Sequence, residues 1–595
     1  MTLSMLSVFG VAALTSLLLT PQVRAVAIRM RLVAWPKSER WGRRVVAKCG
    51  GLSIYAATVS ALWMVAPRTS EWIGYAVAAT LLVAWGVIDD VKGLSPPVKI
   101  LGQVIAASIV AGTGTSIESV PWPALSVPLT IFWIVLVTNA VNLLDNMDGL
   151  ACGVAAISAM VLFGCSQMLG NAPVSLGSLA IAGACCGFLP HNFHPAKIFM
   201  GDCGSMFLGF SLAVLSVHGT WGHASNLFLV LLVPVLVLGV PIFDTAFVAI
   251  NRRLSGRAIW RGGTDHTSHR LVFLGWPERR AVLMLYGISA VLGGLAFAML
   301  NVNLYVSTIV VFLTVAVIVM FGIFLAHLPI YQEDPEVVGT ESKDRVQLSA
   351  SYPYKRRIVE VLGDVMLICA SYFIAYVIRF EGVLSPADRV LLVQSLPVVI
   401  PVQLVAFFAC GVYGGIWRYV GMRDVVNIFR GVFFGTVFSV LVLLLRSRFI
   451  GYSRAVFVVD ALVLLVLMAG SRVALRLFRE YLMNTVEHRG KRAIIVGAGD
   501  AGEVLLRELR NNRGLDYRPV GFIDDDPAKI GRSIHGVPVL GNRWSLPMLI
   551  EQLRVDEVFM AIPSAHRQAV EEISQICEGC GVPYRRMQRM VDPEA

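Results

Sequence analysis

Charge is scarce in this sequence. Of its 595 residues only 15% are Asp, Glu, Lys or Arg, where a soluble chain carries about a quarter. Hydrophobic residues make up 56%, and the mean hydropathy is +0.70. That shortage excludes a soluble globular fold for most of the chain. A cysteine framework is missing too: the ten cysteines are scattered, most of them inside apolar runs, which excludes a disulfide scaffold. The lone C-x-x-C of Cys577 and Cys580 has no partner pair to complete a zinc site. The first apolar run, 3–20, has no basic segment before it and no small-residue cleavage site after it, so it reads as a first membrane span rather than a signal peptide. Acid is the scarcer sign, 39 Asp and Glu against 50 Lys and Arg. The surplus sits in loops between apolar runs, the pattern of a membrane surface, and no nucleic-acid partner is expected.

What is present is apolar length. A helix needs roughly 20 apolar residues to cross about 30 Å of hydrocarbon. Runs of that kind fall near 3–20, 46–66, 72–88, 98–113, 127–144, 151–169, 175–190, 204–218, 226–250, 280–300 and 303–328. A polar linker follows at 329–357, then four more runs near 358–379, 391–413, 427–447 and 453–475. The fold class is therefore a polytopic α-helical membrane protein of about 11 + 4 spans, with a cytoplasmic α/β domain of Rossmann-like pattern over 476–595. The loop between the first two spans holds Arg24, Arg29, Arg31, Lys37, Arg40, Arg43, Arg44 and Lys48 against Glu39 alone. By the positive-inside rule that loop is cytoplasmic and the N-terminus lies outside, in a bacterial-type plasma membrane. The arginines at 252, 253, 257, 261, 270, 279 and 280 then also fall inside.

Counting sides places the acidic clusters together. Asp89 and Asp90 end one span, Asp145 and Asp148 another, Asp202 opens a third in I-F-M-G-D-C-G-S-M, and Asp265, His266 and His269 share one loop. All lie on the cytoplasmic side. Ionisable groups at the edge of the hydrocarbon are costly and mark a polar cavity. Read as one continuous helical turn, Asn142, Asp145 and Asp148 share a face. Carboxylates that converge need a counter-ion, and magnesium, with manganese as a substitute, suits oxygen donors that bridge to substrate phosphates. Histidine and arginine on a neighbouring loop suit the phosphates themselves. Each acid alone is equally a solvated helix end, and Asp202 a helix N-cap; their common side of the membrane is what favours phosphate chemistry.

Four motifs in order, V-I-D-D-V-K-G-L-S-P-P-V-K, N-A-V-N-L-L-D-N-M-D-G-L, K-I-F-M-G-D-C-G-S and T-D-H-T-S-H-R-L, with the early pair Gly50 and Gly51, make residues 1–328 resemble the polyprenyl-phosphate N-acetylhexosamine-1-phosphate transferases, relatives of the phospho-MurNAc-pentapeptide translocase. The resemblance implies a reaction: a polyprenyl phosphate oxygen attacks the β-phosphorus of a UDP-N-acetylhexosamine, UMP leaves, and a polyprenyl-diphosphate-linked sugar remains in the membrane. It implies roles as well. Asp202 would be a metal ligand, and Asp89 and Asp90 would handle the lipid phosphate and the metal. Asn139, Asn142, Asp145 and Asp148 would shape the nucleotide-sugar site, with Lys48, His266, His269 and Arg270 on the phosphates. The loop D-H-T-S-H-R departs from the translocase's three-histidine cluster, which favours a UDP-N-acetylglucosamine donor over a MurNAc-pentapeptide. A lipid-linked sugar carrier and a nucleotide-sensing membrane scaffold are the competing readings. A carrier, however, needs polar residues at mid-membrane or on both sides.

In the second half, K-R-A-I-I-V-G-A-G-D-A-G places G-x-G-x-x-G between a strand and a helix, the context in which that motif cradles a pyrophosphate. Gly497 permits the turn, Gly499 admits a phosphate, Gly502 lets the helix approach, and Asp524 at the end of the next strand is placed to accept ribose hydroxyls. Residues 355–595 resemble the membrane-anchored N-terminal half of polysaccharide-biosynthesis nucleotide-sugar dehydratases, but no Y-x-x-x-K follows residue 491. The half is therefore read as a module that binds a nucleotide or nucleotide-sugar, regulates, or joins two copies into a homodimer.

Overall fold

The computed structural model describes the chain apart from residues 1, 35–44, 66, 118–119, 121, 219–226, 255–256, 258–262, 264, 303, 327–341, 414–421, 485–489, 512–516, 563–566 and 587–595. The basic loop at 35–44 and the acidic start of the linker thus lie outside the described residues. The chain forms two compact units, Met1–Met483 and Asn484–Ala595.

The first unit is helical. Its elements are α1 (Thr2–Arg29), β1 (Val33–Ala34), β2 (Val46–Ala47), α2 (Gly51–Trp63), α3 (Ser70–Lys92), α4 (Pro96–Gly112), α5 (Pro123–Leu144), α6 (Leu150–Met168), α7 (Ala172–Asn192) and α8 (Gly201–His218). Then come α9 (Leu227–Val237), α10 (Gly239–Leu254), α11 (Thr267–Phe273), α12 (Glu278–Met299), α13 (Leu304–Ala326), α14 (Ser342–Arg379), α15 (Pro386–Ala409), α16 (Met422–Ser447) and α17 (Arg454–Asn484). Among the described residues eleven helices are long and apolar enough to cross a membrane, with α2 and α4 as shorter apolar helices.

Three expectations need correction. The run expected at 226–250 is two helices, because Pro241 has no N–H to offer the Val237 carbonyl and interrupts the ladder. Ser158 Oγ donates to that carbonyl instead, at 2.8 Å, so no buried acceptor is left bare. The linker is shorter than 329–357, since α14 begins at Ser342. The soluble unit begins near Asn484 rather than 476, because α17 runs on past its apolar stretch.

Helices α6, α7 and α8 are central and buried along most of their length. Lipid tails are as apolar as leucine, so close backbone approach rather than water exclusion holds such helices together. Small residues allow it: Ala180, Ala182 and Ala184 of α7 have no exposed surface, and α7 packs on α1 and α6. A second apolar core joins α13 to the four-helix module α14–α17, with Met320, Leu367, Tyr372, Phe407 and Leu464 inside it. Arg472 donates to both oxygens of Asp364 within that module, so a charge on α17 is matched by one on α14.

The second unit is an α/β sheet. Strands β3 (Lys491–Val496), β4 (Tyr517–Ile523), β5 (Ser533–Ile534), β6 (Val537–Gly541), β7 (Glu557–Met560) and β8 (Tyr584–Arg586) lie in the order β5-β6-β4-β3-β7-β8. All pairings are parallel except the β5–β6 hairpin at the edge. Helices α18 (Asp500–Asn511), α19 (Leu546–Leu553) and α20 (Arg567–Gly579) accompany it, and separate apolar clusters around Leu506 and Leu549 reflect the two-sided burial of a parallel sheet.

Candidate functional site

Four helix ends build the site. Asp89 and Asp90 sit in the last turn of α3, Lys99 in the first turn of α4, Asn142 near the C-terminus of α5, and Asp202 in the first turn of α8. Asp89 is 4% exposed; one oxygen accepts from the Leu94 N–H at 2.6 Å and the other meets the Lys99 ammonium. The same ammonium lies 3.2 Å from Asp202 Oδ2. Asn142 Nδ2 donates to Asp202 Oδ1 at 2.6 Å and reaches Ser205 Oγ at 2.8 Å. Two acids separated by 113 positions therefore share one lysine, and an amide orients the second acid.

Asp90 takes another part. Its two oxygens accept from the Asp202 and Cys203 N–H groups, each at 3.2 Å, at the N-terminus of α8, where unpaired N–H groups and the helix dipole favour an anion. It fixes the helix that carries Asp202 and does not join Asp89 and Lys99. The turn before α8 requires glycine: Gly201 has φ +75°, and a Cβ there would lie 2.5 Å from an Asp90 oxygen. The same turn is braced from outside. Phe199 N–H donates to Ala47 O, Gly50 N–H to Phe199 O, and Gly51 N–H to Met200 O. A Cβ on Gly50 would lie 2.6 Å from the Phe188 ring and one on Gly51 2.1 Å from the Gly204 Cα, so this close approach needs the early glycine pair. It also places the half-buried Lys48 beside the segment that holds the Asp202 turn.

The reading of Asn142, Asp145 and Asp148 as one helical face is not what the chain does. The helix α5 stops at Leu144, Asp145 is its C-cap, and the backbone turns through Gly149 at φ +76° before α6. The turn carries Asp148 away from Asp202, to accept from the Ala196 N–H at 2.9 Å and to face His194 Nδ1 at 3.2 Å. Asn139 lies one turn deeper in α5, where it donates to Gln103 Oε1 at 2.6 Å, and so it joins α5 to α4.

The histidine loop is tied to the same region by Ser268, which donates to Asn146 Oδ1 at 2.7 Å. Asp244 on α10 orders the loop: one oxygen accepts from the Thr267 N–H and hydroxyl, and the other pairs with His266 Nδ1 at 2.7 Å. This leaves Nε2 of His266 to meet a ligand. Asp265 and Arg252 form a two-point ion pair at 2.7 and 2.6 Å. Burial draws the Asp265 carboxyl upward, but the Arg252 hydrogen bonds and charge outweigh it and hold it below the usual carboxylate range. Burial first, then the neighbouring His266 charge, push His269 down to about 4. Arg270 corrects the expectation of a diphosphate contact. It is 2% exposed, donates to the carbonyls of Asp265 and Leu325, and lies over the Phe247 ring, so it anchors α11 inside the protein.

The central residue missed in the sequence is Lys99. It closes the quoted V-I-D-D motif, and its ten-residue distance from Asp89 spans the end of α3, a short turn and the start of α4.

In the second unit, Gly497 turns at φ +106°, and a Cβ on Gly502 would lie 1.9 Å from Gly497 O, so the close helix approach is real. A Cβ on Gly499 would meet nothing within 4 Å, which leaves the loop open at that point. Asp524 is occupied differently from expectation. One oxygen accepts from the Ala498 N–H at 2.8 Å and from Lys529 at 3.0 Å, and the other from the Asp526 N–H. It stitches the glycine loop to the end of β4.

Comparison with known proteins finds two families along the chain, the second of them running across the boundary between the two units. Residues 72–220 match the family described as glycosyl transferase family 4, and residues 409–586 match one described as a CoA-binding domain. A probable undecaprenyl-phosphate N-acetylglucosaminyl 1-phosphate transferase of Bacillus subtilis is 34% identical over 317 residues, 52% of this chain and 88% of its own. A decaprenyl-phosphate N-acetylglucosaminephosphotransferase of Mycolicibacterium smegmatis is also 34% identical, covering 46% of this chain and 77% of its own. A phospho-N-acetylmuramoyl-pentapeptide-transferase of Moorella thermoacetica is 31% identical over 47% of this chain and 94% of its own.

Proposed function

The chain belongs to the polyprenyl-phosphate N-acetylglucosamine-1-phosphate transferases of glycosyl transferase family 4, and from that premise we propose how its helix ends carry the reaction. The N-terminal module transfers N-acetylglucosamine 1-phosphate to polyprenyl phosphate in the membrane. The donor is a UDP-N-acetylhexosamine, UDP-N-acetylglucosamine in the first place. UMP is released, and the polyprenyl-diphosphate-linked sugar begins a surface glycan. The single observation that carries the reading is the Asp89–Lys99–Asp202 cluster at the ends of three separate helices, with Asn142 fixing Asp202.

Phosphoryl transfer asks mainly for position and neutralised charge. The acceptor phosphate has a second pKa of about 6 and is already largely deprotonated at neutral pH, so no residue has to act as a strong base. Lys99, balanced between two acids, supplies a cation for the diphosphate. Asn142 keeps Asp202 in one orientation through transfer, and Asp90 keeps the α8 N-terminus where Asp202 is useful. His266, held through Nδ1, offers Nε2 to a phosphate oxygen. The donor set around Asp202 and Asp89 consists of oxygens, and Asp202 keeps 30% of its side chain exposed, which fits a hard divalent cation. Asp202 and Asp89 would hold a magnesium ion, which when bound would neutralise charge on the donor's diphosphate and on the departing UMP.

The basic loops on the side of the acidic cluster support a cytoplasmic site. The second unit is read as a nucleotide-binding or regulatory module, supported by the open glycine loop at Gly499 and by the match to a CoA-binding domain. The test is UMP release by the purified protein with magnesium, polyprenyl phosphate and a panel of UDP-sugars. Release with UDP-N-acetylglucosamine above the other sugars is expected. No release with any sugar would overturn the transferase reading.

A further inference from the structure

Asp148, His194 and Glu278 come from three separate segments, the α5–α6 turn, the loop after α7 and the first residue of α12, and their ligand atoms lie within 4.8 Å of one another. His194 Nδ1 is 3.2 Å from Asp148 Oδ2 and 3.2 Å from Glu278 Oε2. A neutral imidazole has a single N–H to give and cannot satisfy two carboxylates with it. Its other tautomer would aim a lone pair at both.

The charge around the trio points the same way. Several other acids of the described chain, of comparable or greater burial, are matched by a lysine or arginine: Asp89 and Asp202 by Lys99, Asp265 by Arg252, and Asp364 by Arg472. Asp90 and Asp460 accept from backbone N–H groups or a serine hydroxyl instead, with no second carboxylate among the described residues on the same hydrogen-bond partner. Among the described residues neither Asp148 nor Glu278 pairs with a lysine or arginine; Arg279, the next residue along α12, lies over the Phe193 ring instead. Two partly buried carboxylates therefore face each other with an imidazole between them and a positive centre wanting. His194 keeps 41% of its side chain exposed, so an ion has a way in. The segments are also held independently of any ion, since Asp148 accepts from the Ala196 N–H and Tyr286 of α12 donates to Gly149 O at 2.6 Å.

We propose that Asp148, His194 and Glu278 form a second divalent-cation site, distinct from the Asp89–Lys99–Asp202 cluster. One imidazole nitrogen and two carboxylates with further positions open suit a transition ion of the manganese-to-zinc class. The ion clamps the α5–α6 turn to the loop after α7 and to the start of α12. It replaces the proton that a histidine between two acids would otherwise need.

The probe is manganese alone, counted by its free-ion spin-resonance signal during titration of the detergent-purified full chain. Two bound equivalents are expected for the unaltered protein. His194→Ala and Glu278→Gln should each lose one equivalent and the thermal stabilisation that ion confers, while Asp202→Asn should lose the other. Two equivalents retained in both His194→Ala and Glu278→Gln, with normal gel-filtration profiles, would overturn the proposal. A single equivalent in the unaltered protein, lost in Asp202→Asn and kept in His194→Ala, would do the same, showing the histidine to be an imidazolium bridge. Failure of the magnesium reading instead would appear as Asp202→Asn keeping its full count while His194→Ala loses one, and would leave the second site standing.

Discussion

Asp202→Asn separates the charge of the carboxylate from its shape. The amide is isosteric and its oxygen can still accept from Asn142, so the α5–α8 link at 2.6 Å survives. What goes is one negative charge 3.2 Å from Lys99. At an effective dielectric of about 20, a unit pair at that distance is worth about 5 kcal/mol. Asp202 is 30% and Lys99 25% exposed, so solvent screens much of it, and Lys99 keeps its bond to Asp89. A stability loss of about 1–2 kcal/mol is expected, small enough for the protein to remain folded. Turnover should suffer far more. Removing one preorganised group that stabilises transition-state charge costs about 10²–10³-fold, and loss of a metal ligand adds to this. A fall of about 10³-fold or more in kcat is expected, read as UMP release at saturating UDP-N-acetylglucosamine and magnesium, beside a thermal melt of the same preparation. A well-folded variant within tenfold of the normal rate would refute the reasoning that Asp202 is the charged centre of the site.

Lys99→Met should lower kcat/KM about 100-fold, which corresponds to about 2.7 kcal/mol of transition-state binding; a near-normal value in the same assay would reduce Lys99 to a counter-ion for the two acids. Gly201→Ala, which places a Cβ against Asp90 at positive φ, should destabilise by about 2 kcal/mol or more, and an unchanged melting temperature would contradict the described turn. His269, faced by His266, Asp244 and Asp265, is held down to about 4 against an ordinary value near 6.5. Between those values the unfolded chain binds the extra proton, so the contribution of this residue, about 3 kcal/mol, is present in full above pH 6.5 and is lost as pH falls toward 4. His269→Gln should flatten the fall in melting temperature over that window, and an equally steep fall would reject the assignment. Gly499→Trp, placed where the loop is open, should fold normally yet lose nucleotide binding by calorimetry. Absence of binding of UDP-N-acetylglucosamine and CoA by the unaltered protein would refute a nucleotide role for the second unit.

Much of the architecture is legible along the chain because it is local. Crossing a membrane depends on the summed apolarity of about 20 neighbouring residues, so the apolar helices among the described residues lie near where hydropathy puts them, though α2 and α4 are shorter than a full span. The break at Pro241 was hidden because it comes from a missing N–H rather than from polarity. The glycine loop of the second unit is local for the same reason, strand, turn and helix being contiguous between Lys491 and Asn511. The β5–β6 hairpin beside it was not foreseen, its strands being short.

The motifs by themselves determined that acids, amides and histidines gather at helix ends, and that these belong to phosphoglycosyl transfer. They did not determine which groups meet. Asp89 finds Asp202 across Lys99, while adjacent Asp90 caps α8. Asn142 reaches Asp202, whereas Asp148, six positions on, is turned toward His194 and Glu278, and Arg270 is drawn inward onto carbonyls. Only the tertiary structure decides such pairings. Coulomb attraction and hydrogen bonding depend on separations of a few ångströms, and those are set by where helices stop and which helix ends pack side by side, not by distance along the chain.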